Sequence, residues 1–127
     1  MKGKNKMIVG IGTDMIEIER VVKACEKEAF LLRVFSSDEQ KLIKEDPGKS
    51  ADNFAVKEAV AKMFGTGFRG IKPKEIEVLR DPLGKPYINL YGEAERRAKE
   101  QEIQVIHTSI TNTKKYASAF VVGERVK

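Results

Sequence analysis

Glu75-Ile-Glu-Val-Leu-Arg80-Asp81-Pro-Leu-Gly-Lys-Pro86-Tyr87-Ile-Asn-Leu90 reads as two short strands about a turn. Residues 75–80 alternate, with Ile76 and Val78 on one face, which is the period of a half-buried strand. Residues 81–86 gather Asp, Pro and Gly, whose side chains set or tolerate turn dihedrals. Residues 87–90 return as a strand, so the segment is expected to form an antiparallel hairpin. The C-terminal part repeats the form. Residues 104–111 and 116–122 read as strands joined across Asn112-Thr-Lys-Lys115, and residues 92–102 as a polar surface helix before them.

On the N-terminal side, residues 7–14 are short and β-branched and read as a buried strand ending in a polar turn. Residues 16–35 carry apolar side chains at 18, 21, 22, 25, 29, 32 and 35. Steps of three and four predict one amphipathic helix. Ser36-Ser-Asp-Glu39 fits a capping box that opens a second helix to about Glu45. Asp46-Pro-Gly-Lys-Ser50 breaks the pattern, and residues 51–64 form the strongest helix, stopped by Gly65. The order is β-α-α-α-β-β-α-β-β. It predicts an α+β fold, a mostly antiparallel sheet packed with helices, rather than a doubly wound parallel sheet.

The 127 residues suit one domain, 1–127, with the basic lead 1–6 expected to be flexible. No apolar run approaches the roughly 18 residues that span a bilayer, so no membrane partner is expected. Cys25 is the only cysteine, which excludes an intramolecular disulfide and favours a reducing cytoplasm. Lys and Arg number 24 against 19 Asp and Glu, a net charge of +5. That suggests anionic partners. A basic nucleic-acid-binding domain is one such reading. Against it stand the lack of an aromatic RNA-binding strand, a KH-type loop or an Arg-rich block, so no nucleic-acid partner is expected.

Four constellations could carry chemistry. Gly10-Ile-Gly-Thr-Asp14 lacks the third glycine of a dinucleotide site, and Asp14 fits a helix N-terminal residue equally well. Glu58 and Lys62 share a helix face, where a surface ion pair worth about 0.2–0.5 kcal/mol is the ordinary outcome. His107, Ser109 and Thr111 share one strand face, but a Ser–His nucleophile pair two residues apart on a strand is poor geometry for hydrolysis. Asp81-Pro-Leu-Gly-Lys-Pro86 is fully explained as a turn.

Together and in order, Gly10-Ile-Gly-Thr-Asp14, Phe54-Ala-Val-Lys-Glu-Ala-Val-Ala-Lys62, Phe64-Gly-Thr-Gly67, Gly84-Lys-Pro86 and His107-Thr-Ser-Ile-Thr111 resemble the holo-[acyl-carrier-protein] synthases. These are small phosphopantetheinyl transferases of fatty-acid synthesis. The resemblance implies transfer of 4′-phosphopantetheine from coenzyme A to a serine of apo acyl carrier protein, with release of 3′,5′-ADP. It implies Mg²⁺ on Asp14 and Glu58, a catalytic base in Glu58, and a phosphate-facing cation in Lys62. It further implies substrate contacts at Gly84, Lys85, Pro86, His107 and Ser109. Members of this short type are homotrimers with active sites between subunits. The family docks its acidic carrier on the first helix, and helical steps place Arg20, Lys23, Lys27, Phe30 and Arg33 in one basic row there. One departure is Asn53, where the family often has arginine. The phosphate contact of that arginine would then be missing or taken over, with Lys49 the candidate.

Overall fold

The computed structural model describes residues 7–126, so the expectation of a flexible 1–6 lies outside the described residues. The elements are β1 (Met7–Glu17), α1 (Ile18–Ala24), α2 (Glu28–Val34), α3 (Ser37–Glu45), α4 (Lys49–Phe64), a 3-10 turn (Pro73–Glu75), β2 (Ile76–Arg80), β3 (Pro86–Leu90), α5 (Gly92–Glu100), β4 (Val105–Asn112) and β5 (Tyr116–Arg125). β5 lies at the centre of a three-stranded sheet, β1-β5-β4, and β2-β3 form a separate hairpin. Every pairing is antiparallel, as the hairpin-rich order predicts.

β1 and α4 explain the Gly-Ile-Gly sequence. Gly10, Gly12 and Asp14 alternate onto the face of β1 that meets α4, while Ile11, Thr13 and Met15 point to solvent. A Cβ on Gly10 would lie 2.5 Å from the Met63 carbonyl oxygen, and one on Gly12 would be driven into that of Ala59. The glycines therefore let strand and helix approach closely, a packing role that alternation alone did not suggest.

α4 is buried on every side but the one that carries Phe54, Glu58 and Lys62. Ala55, Val56, Ala59, Val60, Met63 and Phe64 join Ile76, Val78, Ala94, Val121 and others in the larger core. Gly65 ends the helix at φ +80°, where only glycine is unstrained. Ser36 and Glu39 make the expected capping box of α3.

Residues 16–35 do not form one helix. β1 continues to Glu17, because Ile16 and Glu17 still pair with Ala117 and Tyr116 of β5. The helix then breaks after Ala24, and α2 starts from an extended Lys27 at φ −90°, ψ 119°. No Pro or Gly marks the break. The reason is tertiary: the break turns Phe30, Leu31, Val34 and Phe35 onto the smaller core with Val21, Ile43 and Ala51. Ala29 and Leu32, expected to be buried, are exposed instead. Asp14 accordingly sits inside a strand and not at a helix start.

Candidate active site

The site lies where the end of β1 crosses the middle of α4. Asp14 reaches this junction because it follows two glycines that hold the strand against the helix. Glu58 and Lys62 reach it because they stand one turn apart on α4. Lys62 Nζ donates to the Thr13 carbonyl at 3.0 Å and to Asp14 Oδ1 at 3.2 Å. The pairing of Lys62 is thus across to the strand, and not the surface pair along the helix that spacing makes ordinary.

Glu58 is pushed above the usual carboxylate range, chiefly by burial and then by the Asp14 charge, with Lys62 pulling the other way. Two carboxylates that repel one another across a partly buried junction form a place for a cation. Among the described residues no group of three or more His, Cys, Asp and Glu side chains forms a closed metal cage. A pair of oxygen ligands suits Mg²⁺, which keeps several waters and adds substrate phosphate oxygens. Zinc would ask for nitrogen and sulfur ligands. Asp14 and Glu58 therefore fit a magnesium ion.

The other expected site residues lie elsewhere in the chain. His107, Ser109 and Thr111 are exposed on the face of the three-stranded sheet opposite to α4. There His107 Nε2 meets Glu124 Oε1 at 2.9 Å. Asp14 and His107 are thus separated by the sheet within one chain. Gly84, Lys85 and Pro86 sit in the β2–β3 turn, with Gly84 at φ +89°. Asp81 Oδ1 accepts from the Leu83 and Lys85 amides at 2.9 Å and holds that turn. Arg20, Lys23, Lys27, Phe30 and Arg33 line one cavity of about 570 Å³. They come together across the break between α1 and α2, with the Arg33 guanidinium 5.8 Å from the Phe30 ring centre.

A buried polar network behind α4 escaped the sequence reading. Lys57 and Glu39 are fully buried and paired at 2.8 Å. Lys57 Nζ also donates to the carbonyls of Pro73, at 3.0 Å, and Ile76. Burial pushes Lys57 below the usual ammonium range, and Glu39 opposes that. Asn53 donates to Glu39 Oε2 at 3.0 Å and to the Val78 carbonyl at 2.9 Å, and it accepts from Arg80 at 2.9 Å. Position 53 thus faces the interior, and Lys49 is paired with Asp46 at 3.3 Å. The available signal was Lys57 itself, a lysine that helical steps of three and four set beside Phe54, Val60 and Ala61.

An antiparallel α+β fold thus brings two carboxylates and a lysine together at a strand–helix junction. A model of the 4′-phosphopantetheinyl transferase superfamily matches residues 10–121. The chain belongs to that superfamily. A holo-[acyl-carrier-protein] synthase of Lachnoclostridium phytofermentans is 65% identical over 121 residues, covering 95% of this chain and 99% of the relative. An acyl carrier protein synthase of Plasmodium yoelii, solved with ADP bound, superposes with a TM-score of 0.84 at 30% identity, covering 94% and 97% of the two chains. A holo-(acyl-carrier-protein) synthase of Bacillus anthracis, solved in complex with coenzyme A (3′,5′-ADP), superposes with a TM-score of 0.76 at 34% identity, covering 93% and 97%. Among the described residues no helix is long and apolar enough to cross a membrane.

Proposed function

We infer that this chain transfers 4′-phosphopantetheine from coenzyme A to a serine hydroxyl of apo acyl carrier protein and releases 3′,5′-ADP. The observation that carries the reading is the convergence of Asp14, Glu58 and Lys62, in a chain whose family performs this chemistry. Residues 1–127 act as one transferase domain.

The serine oxygen forms a bond to the β-phosphorus of coenzyme A. The bond from that phosphorus to the bridging oxygen breaks, and the bridging oxygen leaves on 3′,5′-ADP. Glu58 takes the serine proton. In the metal-free protein, burial and the Asp14 charge raise its carboxyl above the ordinary value. Lys62, held by Asp14 and the Thr13 carbonyl, offsets charge growing on phosphate oxygens. Asp14 and Glu58 would hold Mg²⁺, which when bound neutralises the pyrophosphate and supplies coordination sites for its oxygens. Most of the rate then comes from positioning and electrostatics.

The basic cavity of Arg20, Lys23, Lys27, Phe30 and Arg33 docks the carrier, with Phe30 as an apolar anchor among cations. His107 and Ser109, with the Gly84-Lys85-Pro86 turn, bind coenzyme A. His107 lies across the sheet from Asp14, and a site shared between copies brings Asp14 of one and His107 of another to one substrate. The outer sheet face supports this: Ile11, Met15 and Phe120 are 58%, 67% and 48% exposed there, an apolar area typical of an interface. The assembly is a homotrimer with sites between neighbours. The compartment is the cytoplasm, which suits a chain whose one cysteine needs no oxidising environment.

The test is mass spectrometry of apo acyl carrier protein after incubation with this protein, coenzyme A and Mg²⁺. The expected result is a gain of one phosphopantetheine per carrier. An unchanged carrier mass overturns the assignment.

A further inference from the structure

α4 carries the site on one side and the buried polar network on another. At 100° per residue, Asn53 and Lys57 point about 140° away from Glu58 and Lys62. Between them most of the helix surface is apolar, largely alanine and valine, and Asp52, which accepts from Asn112 at 2.8 Å, is bonded across to the sheet only in the first turn. Apolar contacts are non-directional, so beyond the close approach of β1 they hold the helix in place and do little to set its roll about its own axis. A roll of about 20° would carry a side-chain tip at a radius of about 5–6 Å by about 2 Å. That is as large as a whole Mg²⁺–oxygen distance of about 2.0–2.1 Å.

We propose that the buried Glu39–Lys57 pair sets the roll of α4 and so aims Glu58 and Lys62 at Asp14. The proposal rests on the transferase reading of that site. Lys57 uses all three ammonium protons on fixed acceptors: Glu39 Oε1 at 2.8 Å, the Pro73 carbonyl at 3.0 Å and the Ile76 carbonyl. Glu39 is held just as firmly. Its carboxylate accepts from Lys57, from Asn53 at 3.0 Å, and from the Ser36 and Val78 amides at 3.0 and 3.1 Å. These partners come from α3, its cap, the 3-10 turn and β2, so α4 is keyed to three elements at one angle. A buried ion pair is a weak stabiliser compared with well-packed apolar side chains, and fixing register is its best-attested use. Lys57 and Glu39 are therefore positioning residues that never touch substrate.

The test compares wild type with Lys57→Met, Lys57→Arg and the double variant Glu39→Gln/Lys57→Met, which leaves no unpaired buried charge. Three readouts are taken: melting temperature, Mg²⁺ titration followed by the amide NMR signals of α4, and steady-state transfer. The double variant is expected to fold, to bind Mg²⁺ at least tenfold more weakly and to lose at least tenfold in kcat. Its KM for coenzyme A and for carrier should stay within threefold. Lys57→Arg, which keeps the charge, should recover part of kcat. A folded double variant with wild-type Mg²⁺ affinity and kcat overturns the proposal. So does failure of both the single and double methionine variants to fold, since the pair is then a stabiliser only. A wild-type protein that neither binds Mg²⁺ nor transfers defeats the site reading itself, and the proposal with it.

Discussion

In the proposed mechanism Glu58 meets two opposed demands, to hold a cation and to accept a proton. Its neighbours settle the balance. Burial and the Asp14 charge raise its pKa, and Lys62 lowers it. In metal-free protein, Asp14→Asn should therefore lower the Glu58 midpoint and Lys62→Met should raise it, as read by carboxyl ¹³C NMR. A carboxyl raised in the folded state binds more protons there than in the unfolded chain. Metal-free stability should thus fall as pH rises from the ordinary carboxylate value through the raised one. Glu58→Gln should flatten that slope in urea midpoints measured across the window. Catalysis is expected to respond more sharply. Glu58→Ala should lower kcat by about 10²–10⁴-fold, the usual worth of a positioned base, while the melting temperature stays close to wild type. Near wild-type turnover would remove Glu58 from the mechanism. Glu58 and Lys62 were legible as candidates from their place in a dense motif. The Lys62–Asp14 contact was not, because nothing in the helix sequence says which strand lies beneath it.

Two elements position the candidate site and the basic row, and each depends on a local rule being broken. β1 spends two of its positions on glycine, at a cost in strand stability, so that α4 can approach. Gly12→Ala should destabilise the protein by about 1–3 kcal/mol or more, since the new methyl meets backbone that cannot move aside. Its chemical denaturation midpoint would show this, and an unchanged midpoint would mean that the strand and helix are not in such close contact. The α1–α2 segment breaks where its periodicity continues, and the break folds the basic row around a cavity. Arg20→Glu should raise the KM for carrier protein about tenfold or more, leave the KM for coenzyme A nearly unchanged, and steepen neither in high salt. Wild-type affinity for carrier should fall as salt rises, because exposed charges are screened beyond about 8 Å at physiological ionic strength. Equal rises in both KM values would place Arg20 at the coenzyme site instead.

For the molecule as a whole, the question is why so small a chain can enclose coenzyme A. A short chain has little interior to spare, and here α4 already fills the core. In the proposed assembly the exposed outer sheet face would offer the missing wall. Phe120→Glu, opposite Thr13 in the β1–β5 register, should convert the assembly to monomer in sedimentation equilibrium. It should abolish transfer as well, while circular dichroism remains that of the wild type. A wild-type chain that sediments as a monomer, or a monomeric variant that stays active, would mean that one chain completes the site.

The hairpin at residues 76–90, the capping box at Ser36 and the Gly65 stop were all readable in the chain, because each rests on interactions within a few residues. The same holds for the antiparallel β4–β5 pair, whose strands are joined by a short connection, whereas β1 pairs with β5 from the other end of the chain. The break at Cys25–Lys27, the extension of β1 to Glu17 and the inward turn of Lys57 were decided by packing. In each case a partner distant in sequence outweighed a local preference: β5 held Ile16 and Glu17 in strand, the smaller core drew Phe30 and Phe35 out of helical phase, and Glu39 neutralised a lysine in the interior. Local order in a sequence records what neighbours along the chain favour. Burial, pairing across the sheet and the meeting of Asp14 with Glu58 and Lys62 depend on surfaces that exist only once the chain has folded.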